Sequence, residues 1–96
     1  MVFFIYIVEC SDGTYYTGYA KDVLARLAEH NGESNASGAK YTRSRRPVRL
    51  CYVEKHSSKS AAMQREYAIK QMTRLQKQKL IQSQNKQQQA AALRLG

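Results

Sequence analysis

Val2-Phe3-Phe4-Ile5-Tyr6-Ile7-Val8-Glu9 is the stretch on which the fold turns. Its residues up to Val8 are β-branched or aromatic, the composition of a pleated, buried strand. Cys10-Ser11-Asp12-Gly13 follows, and its Asp-Gly pair favours a tight reversal. Thr14–Tyr19 returns as a second strand, so Tyr6 and Tyr16 sit on the two arms of one hairpin. Tyr6 points away from Ile5 and Ile7, and same-face residues of an antiparallel pair lie about 5 Å apart, with diagonal neighbours within side-chain reach. The two phenols can converge on a site or pack across the hairpin; the strands alone leave both readings open.

Downstream, Asp22 caps a helix over about Val23–Asn31, with Leu24, Leu27 and Ala28 as its apolar stripe and Asn31-Gly32 as its stop. Glu33–Pro47 has neither helical nor strand periodicity and reads as a loop. Val48–Glu54 resumes strand character. Ser57, Ser58 and Ser60 are alternative caps for a helix reaching about Met72, and Thr73-Arg74-Leu75-Gln76 has the capping-box pattern that opens a helix over Arg74–Ser83. The order β-β-α-β-α-α predicts an α+β unit, a three-stranded sheet flanked by helices. Gln82, Gln84, Gln87, Gln88 and Gln89 crowd the end of the chain, so the folded domain is expected over 1–82, with 83–96 a disordered Gln-rich tail.

A chain of 96 residues has room for one domain and one core. Lys and Arg number 16 against 7 Asp and Glu, giving a net charge of +9 and pI near 9.8. Nucleic acid is the commonest polyanionic partner for such a protein. A membrane surface fits less well, because the basic residues do not lie on an amphipathic helix with aromatic anchors. The N-terminal apolar run lacks a basic leader and a small-residue cleavage site and is far too short to span a bilayer, so a cytoplasmic protein is expected. Cys10 and Cys51 belong to no CxxC or Cys/His cluster, which indicates neither a zinc site nor a disulfide framework.

Three further groups can carry chemistry. Helical spacing places Ala62, Met63, Tyr67 and Ile69 on one apolar face with Glu66 near its middle, where a carboxylate needs a partner. A salt bridge to Lys70 or Arg65, escape to solvent, a raised pKa or a divalent cation could each answer that need. Arg26 and His30 lie four residues apart on the first helix, a planar phosphate-binding fork beside a group that accepts protons near neutral pH. Lys40, Arg43, Arg45, Arg46 and Arg49 put five cations into ten positions with Tyr41 among them. Phosphate backbones attract such a loop, and Lys70 extends its charge.

Phe4-Ile5-Tyr6, Tyr16-Thr17-Gly18, Arg26-x-x-x-His30 and Glu66 in a helix together resemble the GIY-YIG nuclease superfamily across residues 2–82. Ala39-Lys40-Tyr41-Thr42-Arg43, Arg46-Pro47-Val48 and Arg65-Glu66-Tyr67-Ala68-Ile69-Lys70 are similar to its small stand-alone bacterial members. The resemblance implies an antiparallel three-stranded sheet and hydrolysis of DNA, in preference to RNA, with one Mg2+ or Mn2+ ion. It implies that Glu66 ligates the metal, Arg26 holds the scissile phosphate, Tyr6 assisted by His30 takes the proton of the attacking water, and Tyr16 orients water or phosphate. Phe4 stands at the family's first glycine and Thr17 at its second isoleucine, and Gln76-Lys77-Gln78-Lys79 occupies the region where many members carry an asparagine. The alternative function is a non-catalytic module that binds DNA or RNA through the same basic surface.

Overall fold

β1 (Phe3–Glu9) is buried on both faces from Phe3 to Val8, which is why its apolar run is unbroken and why it occupies the middle of the sheet. The structure, a computed structural model, describes residues 2–32 and 40–93, the side chains of Lys40 and Tyr41 excepted. β2 (Tyr15–Ala20) and β3 (Arg49–His56) flank β1 in the order β2-β1-β3, and both pairings are antiparallel. The hairpin register sets Tyr6 opposite Gly18 and Val8 opposite Tyr16. Its turn is held by Gly13 at φ +83° and by the Asp12 carboxylate, which accepts from the Thr14 amide at 3.1 Å and the Thr14 hydroxyl at 2.6 Å.

α1 (Val23–His30) begins at Asp22, whose carboxylate accepts from the Ala25 amide at 3.0 Å. It packs on the sheet face carrying Phe4, Tyr6 and Val8, through Val23 and Leu27. α3 (Lys59–Lys70) begins at Ser58 and packs through Ala62 and Ile69 on the opposite face, against Phe3, Ile5, Ile7 and Tyr52. α4 (Arg74–Gln82) opens with the expected capping box between Thr73 and Gln76. Gln76, the first residue of the Gln76–Lys79 region, is therefore engaged in capping. Among the described residues no helix is long and apolar enough to cross a membrane.

The structure corrects several expectations. Leu24 is exposed, and Val23 takes its place in the core. Tyr67 is also exposed, so the buried positions of α3 narrow to Ala62 and Ile69. Glu66 then lies on the flank of α3 and not at the middle of its buried face. Part of the loop expected over Glu33–Pro47 is a short helix, α2 (Lys40–Arg43); residues 33–39 lie outside the described residues. After residue 82, where a disordered tail was expected, the chain forms α5 (Lys86–Leu93). Ala92 and Leu93 reach the core cluster around Phe4 and Val53, and the Gln84 side chain pairs with the β3 backbone, accepting from Val53 N at 3.1 Å and donating to Val53 O at 2.7 Å.

Candidate active site at the edge of β2

Gly18 decides where Tyr6 points. A Cβ on Gly18 would lie 2.3 Å from the Tyr6 hydroxyl and 2.4 Å from its Cζ, so the ring lies across β2 in space that only glycine leaves open. Because β2 is an edge strand, this orientation carries the hydroxyl toward the rim of the sheet. There it meets His30 Nε2 at 2.7 Å, while His30 Nδ1 meets Thr42 Oγ1 at 2.8 Å. All three side chains are buried. Tyr16, diagonal to Tyr6 across the hairpin, sets its ring edge-on to His30 with centroids 5.3 Å apart.

Burial is the largest influence on the Tyr6 phenol and pushes its pKa well above the usual tyrosine value, with Arg26 pulling it down and the charges of Tyr16 and Glu66 pushing it up. Burial likewise holds His30 below the usual histidine value; the Arg26 and Arg46 charges act in the same direction, and Glu29 opposes them. Tyr6 and His30 are therefore both neutral near pH 7. A neutral pair has two arrangements here: Tyr6 donates to Nε2 while Nδ1–H donates to Thr42, or the Thr42 hydroxyl donates to Nδ1 while Nε2–H donates to the Tyr6 oxygen. Arg26 lies beside the phenol oxygen as a further hydrogen-bond donor.

Arg26 stands on α1, with its Nη1 3.2 Å from a Glu29 carboxylate oxygen. Its Nε is buried and finds no acceptor among the described residues. A surface groove of about 360 Å³ runs beside it along the end of β2, lined also by Tyr19, Lys21, Asp22 and Glu29. α1 and α3 pack on opposite faces of the sheet, and Tyr6 feels the charges of both Arg26 and Glu66, Arg26 the more strongly. Tyr6, Tyr16, Arg26 and His30 are thus neighbours on the α1 side of the sheet, and Glu66 stands on α3 with Lys70 as its partner.

Of the alternatives for Glu66, the structure removes Arg65. That guanidinium is bound to Glu54, with Nε 2.9 and 3.0 Å and Nη2 2.8 Å from its oxygens. Tyr52 donates to the same carboxylate at 2.5 Å, and His56 Nε2 lies 3.0 Å away. These bonds hold the Glu54 carboxyl below its usual pKa despite burial. Glu66 is paired with Lys70, whose Nζ lies at 3.6 Å and whose side chain is 49% exposed. Such an i,i+4 pair contributes about 0.3–0.5 kcal/mol and can be displaced. Among the described residues no group of three or more His, Cys, Asp or Glu could hold a metal. A lone carboxylate nonetheless suits magnesium, which commonly takes one or two carboxylates and fills its shell with water and phosphate oxygens.

The basic cluster is more committed to the fold than its sequence suggests. Arg46 closes α1, donating from Nε to the His30 carbonyl at 2.6 Å and lying where a Cβ on Gly32 would touch it. Arg45 pairs with Asp12 at 3.0 Å, and Arg49 pairs with Glu9. Arg43 is exposed. The Lys40 side chain lies outside the described residues. Sequence reasoning gave no role to Gly18 or Thr42. Gly18 had a signal, a glycine inside a strand pattern, which commonly marks close approach of another group; Thr42, in an aperiodic segment, had none.

The GIY-YIG catalytic domain matches residues 2–79. A UPF0213 protein of Staphylococcus epidermidis is 60% identical over 79 residues, covering 82% of this chain and 93% of that protein. One of Halobacterium salinarum is 59% identical over 77 residues, covering 80% and 96%. The solution NMR structure of a Bacillus halodurans UPF0213 protein superposes with TM-score 0.59 at 37% identity over the full length of both chains.

Proposed function

Since the chain belongs to the GIY-YIG family, we propose that it is a metal-dependent endonuclease hydrolysing DNA phosphodiester bonds, with branched or damaged forms preferred because shape can replace sequence contacts. The observation that carries this reading is the Tyr6 hydroxyl, aimed over Gly18 to the sheet edge and bonded to a neutral His30.

A tyrosine base faces a difficulty, since little phenolate exists at pH 7 and burial makes it scarcer still. The hydrogen-bond chain supports a route that needs no phenolate. As water attacks, its proton passes to the Tyr6 oxygen while the Tyr6 proton passes to His30 Nε2. The relay uses the tautomer in which Nδ1–H donates to Thr42, which leaves Nε2 as the accepting nitrogen. Arg26 holds the scissile phosphate and offsets its growing charge, exchanging Glu29 for a phosphate oxygen. Tyr16, against His30, orients the water or the phosphate. Glu66 would hold one Mg2+ or Mn2+, and the ion would supply positive charge to the phosphate and leaving oxygen. Arg43 and Lys40, with Arg45, Arg49 and Lys70 released from weak surface pairs, would lie along the DNA backbone, where each phosphate contact releases counterions.

The test uses purified protein with single-stranded, duplex and branched DNA and with RNA, in magnesium, manganese or chelator, beside Glu66→Ala. Metal-dependent cutting of DNA that vanishes in the variant is the expected result. Salt-sensitive binding without cutting under every condition would reject the enzyme and leave the binding module.

A further inference from the structure

Tyr67 has no part in the site as described, and its position is unusual. α3 buries Ala62 and Ile69, and its two flanks differ: Arg65 is bound to Glu54 of β3, and Glu66, on the other flank, pairs with Lys70. One further residue around the helix, about 100° past Glu66, Tyr67 stands 69% exposed. Among the described residues no hydrogen bond holds its hydroxyl. Lys70 follows three residues later, on the same side of the helix.

The surroundings indicate what covers the ring. From Lys59 to Gln82, Tyr67 is the one aromatic residue, and with Arg65 committed to Glu54, Lys59, Lys70, Arg74, Lys77 and Lys79 share the segment with the single carboxylate of Glu66. An exposed ring in so cationic a segment suits a polyanion that also has flat apolar faces. Nucleic acid combines the two, and base–aromatic stacking beside a basic groove is how single strands are held. Consecutive Cα atoms lie about 3.8 Å apart while their side chains diverge by about 100°, so a base on Tyr67 would belong to a nucleotide near the phosphate at Glu66 and outward of it. A base inside a duplex has both faces covered by its neighbours, and an unpaired one does not.

We propose that Tyr67 is a stacking platform for an unpaired nucleobase flanking the bond held at Glu66, which makes nucleic acid with unpaired bases at the cut the substrate class. The placement of the base, though not the stacking itself, rests on the nuclease reading above.

The chain contains no tryptophan, so Tyr67→Trp introduces a single fluorescent reporter at this position. With metal chelated, Tyr67→Trp, Tyr67→Ala and Tyr67→Phe are titrated with a single-stranded oligothymidylate and with a blunt mixed-sequence duplex. Stacking predicts that the strand quenches the tryptophan and the duplex does not. It predicts that Tyr67→Ala weakens strand binding about five- to a hundredfold while duplex binding holds, and that Tyr67→Phe binds as the parent. Unchanged strand affinity in Tyr67→Ala, equal loss for both probes, no quenching at saturation, or no binding of either probe would overturn the proposal; the first would leave the ring to a protein partner. An unchanged melting temperature in Tyr67→Ala verifies that the fold is intact. Binding is read without cleavage, so the two ideas fail separately: persistent cutting by Glu66→Ala would sink the nuclease assignment alone, and normal strand binding by Tyr67→Ala would sink this one alone.

Discussion

Gly18→Ala asks more of the structure than any other single methyl group. The new Cβ would stand 2.3 Å from the Tyr6 hydroxyl, whereas ordinary contact starts at 3.4 Å, so the ring must retreat by at least about 1.1 Å, the difference of the two. β1 is buried on both sides and cannot follow. Overpacking of this kind costs about 1–3 kcal/mol, and breaking the 2.7 Å Tyr6–His30 bond adds about 1 kcal/mol. The sum, about 2–4 kcal/mol, corresponds to a melting temperature lowered by about 8 °C or more in a domain of this size. Thermal unfolding followed by circular dichroism measures it directly. Pairing Gly18→Ala with Tyr6→Leu removes the ring, and the alanine should then be neutral or slightly stabilising, as alanine usually is against glycine within a strand. A displacement of this size at a reacting group also predicts a loss of cleavage of about a hundredfold. The reasoning is refuted if Gly18→Ala melts with the wild type, or if its cost is the same with and without the Tyr6 ring.

Thr42→Val should cost about 1–3 kcal/mol by leaving His30 Nδ1 buried without a partner, whereas Thr42→Ser should restore both stability and the His30 nitrogen shifts seen by NMR; equal behaviour of the two variants would discount the bond. His30 titrates below its ordinary value, so the unfolded chain binds its proton first as pH drops: its contribution is whole above about pH 6.5 and declines as the medium is acidified toward the folded pKa. Urea midpoints measured across that window should fall with acid in the wild type and flatten in His30→Gln. Tyr6 behaves oppositely, because its raised pKa means stability present below about pH 10 and lost as pH rises beyond it; the absorbance titration near 295 nm should lose a late-titrating component in Tyr6→Phe. Arg65→Ala should cost about 1.5–3 kcal/mol by stripping charged hydrogen bonds from half-buried Glu54, and a variant melting with the wild type would show the Tyr52–Glu54–His56–Arg65 cluster to be idle.

Much of this fold is legible because its signals are local. The Asp12-Gly13 turn, the Asp22 cap and the Thr73/Gln76 capping box are each formed by residues within a few positions of one another. The same locality explains the failures. Helical periodicity assigned Leu24 and Tyr67 to the core because they are apolar and suitably spaced, but a helix has one buried stripe and the neighbours choose its centre. α5 escaped notice because a Gln-rich segment has no apolar stripe; its hold on the sheet comes from the Gln84 amide pairing with an edge strand and from Ala92 and Leu93 at its far end.

The candidate site divides along the same line. Sequence by itself determined which side chains are available: two phenols on a hairpin, Arg26 and His30 one turn apart, a lone Glu66 and an excess of positive charge. Only the tertiary structure decided how they stand to one another. Tyr6 reaches the sheet edge because Gly18 opposite it has no side chain, Thr42 meets His30 across a segment without periodicity, and Glu54 claims Arg65 while Glu66 pairs with the exposed Lys70. The physical reason is that protonation state and reach depend on burial and on partners brought from distant parts of the chain, and neither is a property of the residue alone.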